Sequence, residues 1–225
     1  MLKRMIWPIL FGLGGVAVLL SLGVWQVQRL AWKEAVLADI DARIAAVPAG
    51  LPVAPDPVAD RYLPVALEGR ILGDEIDVLA SRKGVGPGFR VISPFETADG
   101  RRVLVDLGFV READKQDPRP ARAARLIGNL HWPDEVDGYT PAPDLGRNIW
   151  FARDVAAMAA ALDTEPVLVV VRETSEADPH VTPLPVNTAH IPNDHLSYAI
   201  TWFSLAALWL GMTLYLLWRI RHRTI

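Results

Sequence analysis

The chain has 225 residues, a formal net charge of −3 and 51% hydrophobic residues. It contains no cysteine, which excludes disulfides, thiol nucleophiles, zinc–cysteine centres and cysteine-type copper delivery. The four methionines are scattered, which argues against a thioether copper site, and no basic run is long enough to point to nucleic acid.

The first apolar stretch, Ile6–Val24, runs 19 residues without a charge, and the last, Leu196–Trp218, runs 23. About 20 apolar residues cross a hydrocarbon core, and helix satisfies the backbone there. Lys3 and Arg4 precede the first span; Arg219, Arg221 and Arg223 follow the second. Basic tails favour the cytoplasmic side, so both termini are expected in the cytoplasm and the central domain in the periplasm. Arg29 and Lys33 sit on the outer flank, where the rule is weak beside a long translocated domain. Trp7 and Trp218 would mark the inner interface; Trp25, Trp32 and Trp202 would mark the outer one. Ser21-Leu22-Gly23 offers a signal-peptidase pattern, but the apolar run exceeds a usual h-region and continues as a helix. We expect an uncleaved anchor. No Arg- and Ser-rich transit segment precedes it, which favours a bacterial inner membrane.

Between the spans, residues 25–46 read as a helical extension, 47–60 as a Pro-rich linker, 61–172 as a β-rich core and 173–194 as an extended return. Strands are expected at Tyr62–Leu67, Ile76–Ser81, Phe89–Pro94, Arg102–Val110, Arg125–Trp132, Asn148–Ala152 and Pro166–Arg172, with VLVDLGFV and VLVVV as buried central strands. Arg153–Leu162 reads as one short helix. The fold class expected is an α+β membrane protein: two transmembrane helices, residues 1–24 and 195–225 with their tails, flanking an antiparallel β-rich domain with one or two short helices. GVGPGF at 84–89 lacks the spacing of a cofactor loop and reads as a turn. DPRPARAAR at 117–125 reads as a solvated basic loop.

No histidine pair has metal-ligand spacing. His131 is expected to be structural, His180 and His190 solvent-exposed, and His222 part of the tail. His195 differs. Asn193 or Asp194 would cap the last helix and place His195 in its first turn, where the helix dipole favours neutral imidazole, the form that ligates iron. Tyr198, Ala199 and Trp202 follow on its face. On the first helix Trp25, Arg29 and Trp32 form a comparable face, with Gln26 and Lys33 beside it. Two readings stand: an ordinary aromatic belt with snorkelling cations, or a site for an amphiphilic macrocycle with carboxylate edges.

GVWQVQRLAWK at 23–33 resembles the GxWQxxRxxWK signature of the Surfeit locus protein 1 family, and NDHLSYAITWFSLA at 193–206 resembles its NxHLxYAxTWFxLA signature. DLGFV at 106–110 resembles the family's RGFV strand. GRNIWFARDVAAMA at 146–159 resembles its NxWxxxD element, with Asn148, Trp150 and Asp154 in place. Two departures are visible: Leu107 where Arg is common, and Asp194 where a second Asn is common. The resemblance implies an assembly factor for aa3-type cytochrome c oxidase that acts with subunit I and other assembly factors and binds haem a at the outer rim of the bilayer. It makes His195 the candidate axial ligand, with Trp25, Gln26, Arg29, Tyr198 and Trp202 lining or orienting the site. The alternative is a haem-independent structural chaperone for a subunit I intermediate, with glycines and alanines of both spans allowing close helix approach. A third reading, a periplasmic enzyme using Asp106, Asp114 or Asp154, has no motif behind it.

Overall fold

The computed structural model describes residues 2–189 and 191–222, with the backbone alone for residues 2–4. His190 in the return and Arg223 in the tail lie outside the described residues. The chain divides into two compact units, Met1–Asp39 with Thr188–Ile225, and Ile40–Asn187.

The first unit holds most of α1 (Leu2–Ile44) and all of α3 (His195–His222). Both helices are long and apolar enough to cross a bilayer. Large apolar side chains stay exposed along them, among them Phe11, Val18, Leu208 and Leu214, a surface that suits lipid better than water.

The second unit is built on seven strands: β1 (Pro64–Ile71), β2 (Ile76–Arg82), β3 (Gly86–Thr97), β4 (Arg102–Arg111), β5 (Arg122–Leu130), β6 (Ile149–Trp150) and β7 (Leu168–Thr174). The strand order is β1-β5-β7-β4-β3-β2-β6, and β1 also pairs with β3. Five strands therefore close into a ring, β1-β5-β7-β4-β3, with β2 and β6 as a spur. Closure brings β1 against β3 at Gly69, where a Cβ would lie 2.0 Å from the Glu96 carbonyl oxygen; only glycine allows that approach. GVGPGF is the β2–β3 turn, with Gly84 and Gly86 at positive φ.

An antiparallel sheet is expected from the short strands and tight turns, but the sheet is mixed: β4 pairs β7 in parallel, and β2 pairs β6 in parallel. For β7, α2 (Val155–Leu162) supplies a crossover before that strand enters the sheet. Val103, Val105 and Leu107 of β4, with Val169 and Val171 of β7, fill the ring. Leu104, Leu168 and Val170 face the other way, into a second cluster with Met158 and Ala159 of α2. Strands buried on both faces read as apolar runs; VLVVV is unbroken, and VLVDLGFV is interrupted by the buried Asp106 and by Gly108.

Leu107 sits at a β-bulge. Opposite β3, the register passes from Asp106↔Ile92 to Gly108↔Val91. Leu107 is buried in the core, so an apolar residue suits this chain where the family commonly has Arg.

Other boundaries move as well. Asp154 caps α2 from the N-cap, its side chain accepting from the Ala157 N–H, so that helix starts two residues later than expected. Residues 47–60 are no free linker, since Ala49 bridges Val65 and Leu51 packs on the core. The return also adds a bridge, Phe109↔Thr182.

His131 is structural, as expected. It stacks on Tyr62 at 5.6 Å between ring centroids. Burial, then the Arg153 and Arg61 charges, pushes its pKa down from 6.5 to about 4. Between those values the unfolded chain binds a proton that the folded chain refuses. Stability is thus fully present above pH 6.5 and falls as pH drops towards 4. We expect the fold to lose about 2 kcal/mol between pH 7 and pH 5 from this group. Urea midpoints at the two pH values check it, and His131→Phe should remove most of the difference.

Candidate functional site

The facing sides of α1 and α3 follow a seven-residue rhythm. On α1 the covered positions include Gly12, Leu19, Gln26 and Lys33, interleaved with Val16, Gly23, Leu30 and Leu37; on α3 they are His195, Ala199, Trp202, Ala206, Trp209 and Thr213. Alternating steps of three and four keep one seam of each helix towards the other. Small residues make room. A Cβ on Gly15 would lie 2.3 Å from Trp209 Nε1, and that nitrogen donates to the Gly12 carbonyl at 3.1 Å. Gly14 faces open space. We expect Gly15→Leu to cost the helix pair about 1–3 kcal/mol through overpacking, and Gly14→Leu to cost little. Thermal melting of the full chain in detergent separates the two.

At one end of this seam, His195 Nδ1 lies 2.8 Å from Gln26 Oε1. His195 is half-buried and Gln26 is only 8% exposed. The Tyr198 N–H donates to the Asp194 carbonyl, so Asp194 immediately precedes the helix and His195 lies in its first turn, as expected. No partner among the described residues takes Nε2.

The other expected site residues divide. Trp202 shares the seam with His195 and is half-buried. Tyr198 lies off it, 55% exposed. Trp25 and Trp32 are 50% and 51% exposed, and the Arg29 guanidinium stands over the Trp32 ring at 4.2 Å, a cation–π contact. Exposed aromatic faces, one guanidinium and one imidazole are the kinds of group that could hold an iron porphyrin. An apolar hollow of about 710 Å³ elsewhere on the helix pair, lined by Trp7, Phe11, Trp209, Met212 and Leu216 among others, offers no imidazole.

The SURF1 family model matches residues 13–207. The chain belongs to the SURF1 family. A SURF1-like protein of Monosiga brevicollis is 34% identical over 88% of this chain and 83% of its own length. One from Rickettsia felis is 30% identical over 84% and 87%, and the mouse Surfeit locus protein 1 is 28% identical over 85% and 69%.

In this SURF1 family member the three aspartates considered for acid–base work all have structural partners. Asp106 is fully buried, held by Arg90 and Arg153. Asp114 pairs with Arg111 at 2.8 Å. Asp154 caps α2.

The 117–125 stretch is not the solvated loop expected. Arg119 is buried, bonded to Glu75 at 2.8 Å and to the Asp114 carbonyl, and Arg122–Arg125 belong to β5. With Asp77, Lys115 and Asn148 it lines a polar cleft of about 890 Å³. Lys115 pairs with Asp77 at 2.9 Å, and burial raises the Glu75 pKa. This cleft escaped the sequence because its residues come from four separate segments. The one local hint was Asn148 of the NxWxxxD element, which adopts φ +50° and donates to the Glu75 carbonyl. His180, expected to be solvent-exposed, is exposed but paired with Asp117 at 2.5 Å.

Proposed function

We propose that this protein is an assembly factor for aa3-type cytochrome c oxidase, and that it binds haem a at the outer rim of a bacterial inner membrane and assists its insertion into subunit I. In this reading α1 and α3 span the bilayer, both tails are cytoplasmic and the β-rich unit is periplasmic. Membership of the SURF1 family supports the assembly role. The observation that carries the haem role is His195, half-buried on the helix seam with Nδ1 engaged by Gln26 and Nε2 without a partner among the described residues.

Haem a, when bound, would supply a redox-active iron and an amphiphilic ring. His195, through Nε2, is the residue that would hold such an iron. The exposed rings of Trp25 and Tyr198, with Trp202 two turns further along the seam from His195, would give the macrocycle apolar surface, and Arg29 would offer a cation to a propionate. A single protein ligand holds cargo loosely enough to pass it on.

The test is an optical spectrum of the detergent-purified full chain, expressed in a host that makes haem a, beside His195→Ala. A haem a band lost in the variant is the expected result. A haem-free wild type, in cells where the oxidase matures, would replace this reading with the haem-independent chaperone.

A further inference from the structure

We infer that Gln26 is the positioning residue for His195, fixing which imidazole nitrogen is bare. The consequence for iron rests on the haem reading above; the tautomer does not. Gln26 is nearly covered on the α1 seam, and its side-chain oxygen lies 2.8 Å from His195 Nδ1. A covered amide has to find a partner, and among the described residues this imidazole is the one that engages it. An amide oxygen only accepts. The proton therefore sits on Nδ1, and Nε2 keeps its lone pair. Which ring nitrogen is free is set by the bond the other makes, and here that bond comes from the opposite helix.

The acceptor's neutrality matters too. A carboxylate behind the ring would form a charge-assisted bond and make the imidazole a stronger ligand. An amide orients the ring with less push, which suits a site that must let its cargo go. It also ties the ligand to helix pairing: anything that separates α1 from α3 at this level frees the ring to rotate or change tautomer.

The experiment uses the full chain in detergent with ¹⁵N-labelled histidine, the His195 resonances being those lost in His195→Ala. In the haem-free wild type we expect Nδ1 protonated and Nε2 bare. Gln26→Met, similar in size but without an acceptor, should move the proton towards Nε2, and Gln26→Glu should restore the wild-type pattern. Gln26→Met should also weaken haem a binding about 10–100-fold, the usual effect of losing a partner behind a ligand. A wild type with the proton on Nε2 would mean that the amide is turned to donate, and overturns the inference. So does an unchanged tautomer in Gln26→Met; a changed tautomer with unchanged haem a affinity supports the tautomer assignment and overturns its consequence for iron. If His195→Ala still binds haem a, the haem reading falls while the nitrogen resonances judge the tautomer separately.

Discussion

Replacing Asp106 with leucine is expected to destabilise the β-rich unit by about 3–5 kcal/mol, the cost of removing one partner from a buried ion pair. Asp106 is 0% exposed. Its Oδ2 is 2.6 Å from Arg90 Nε and 3.4 Å from Arg153 Nη1, and its Oδ1 accepts from the Gly108 N–H at 3.1 Å. Leucine would leave two guanidinium groups facing a non-polar side chain. Arg153 keeps Glu135. Arg90 keeps a hydrogen bond to the Leu184 carbonyl, at 2.9 Å. Thermal melting of the full chain should show the loss as a drop of roughly 10 °C. The double variant Asp106→Leu with Arg90→Met should recover part of it, because it removes the charge left behind. If Asp106→Leu melts like the wild type, the carboxylate is not the anchor of this network.

Gly108→Ala should produce a loss of comparable size by a different route. Gly108 has φ +124°, and a Cβ there would lie 2.2 Å from the Thr182 carbonyl oxygen and 2.7 Å from Pro183 Cα. Both are backbone atoms, so no side chain can swing aside. The Phe109 and Thr182 backbones exchange hydrogen bonds at 2.7 and 2.8 Å at the same place, so the added methyl pushes the return segment off β4. Strain at such a φ costs about 1–3 kcal/mol, and the lost contacts add to it, for about 3 kcal/mol or more in all. Gly100→Ala isolates the first term, since Gly100 also has positive φ, +84°, but no neighbour within 4 Å. We expect Gly108→Ala to melt well below Gly100→Ala and to be cut by protease in the 179–187 stretch. Equal melting of the two variants would remove the role assigned to the return.

The location of both positions shows what sequence reading reaches here. Apolar runs bounded by Gly, Pro and Asp place each of the seven strands to within a few residues, because a strand with one or both faces buried has little freedom of composition. Pairing direction was not legible. That β7 enters between β4 and β5, parallel to the former, depends on the path of α2, and nothing in VLVVV encodes a neighbour. At the helix seam, attention to large aromatics favoured Trp25 and Trp32, which the structure leaves exposed. Gln26 makes the contact instead. The family signature already puts Gln26 among the residues lining or orienting the site; its specific partner, His195, is not legible until the two helices are set side by side along the steps of seven from Gly12 through Leu19 and Gln26 to Lys33. Arg119 was misread for a related reason. A basic stretch between prolines looks solvated unless Glu75, more than forty residues earlier, is known to meet it.

The ring of strands also sets an order of events. Its first strand, β1, is made early, but the ring cannot shut until β7, the last strand of the chain, slides between β4 and β5. Contacts so distant in sequence form slowly. Until β7 arrives, β4 and β5 present unpaired edges and apolar faces, the features that make unfinished chains aggregate. Only the return segment separates β7 from α3. A nascent chain therefore completes its barrel at nearly the moment α3 is synthesised, and a chain truncated before Leu168 should be recognised as unfinished by proteases even with every residue of the six earlier strands in place.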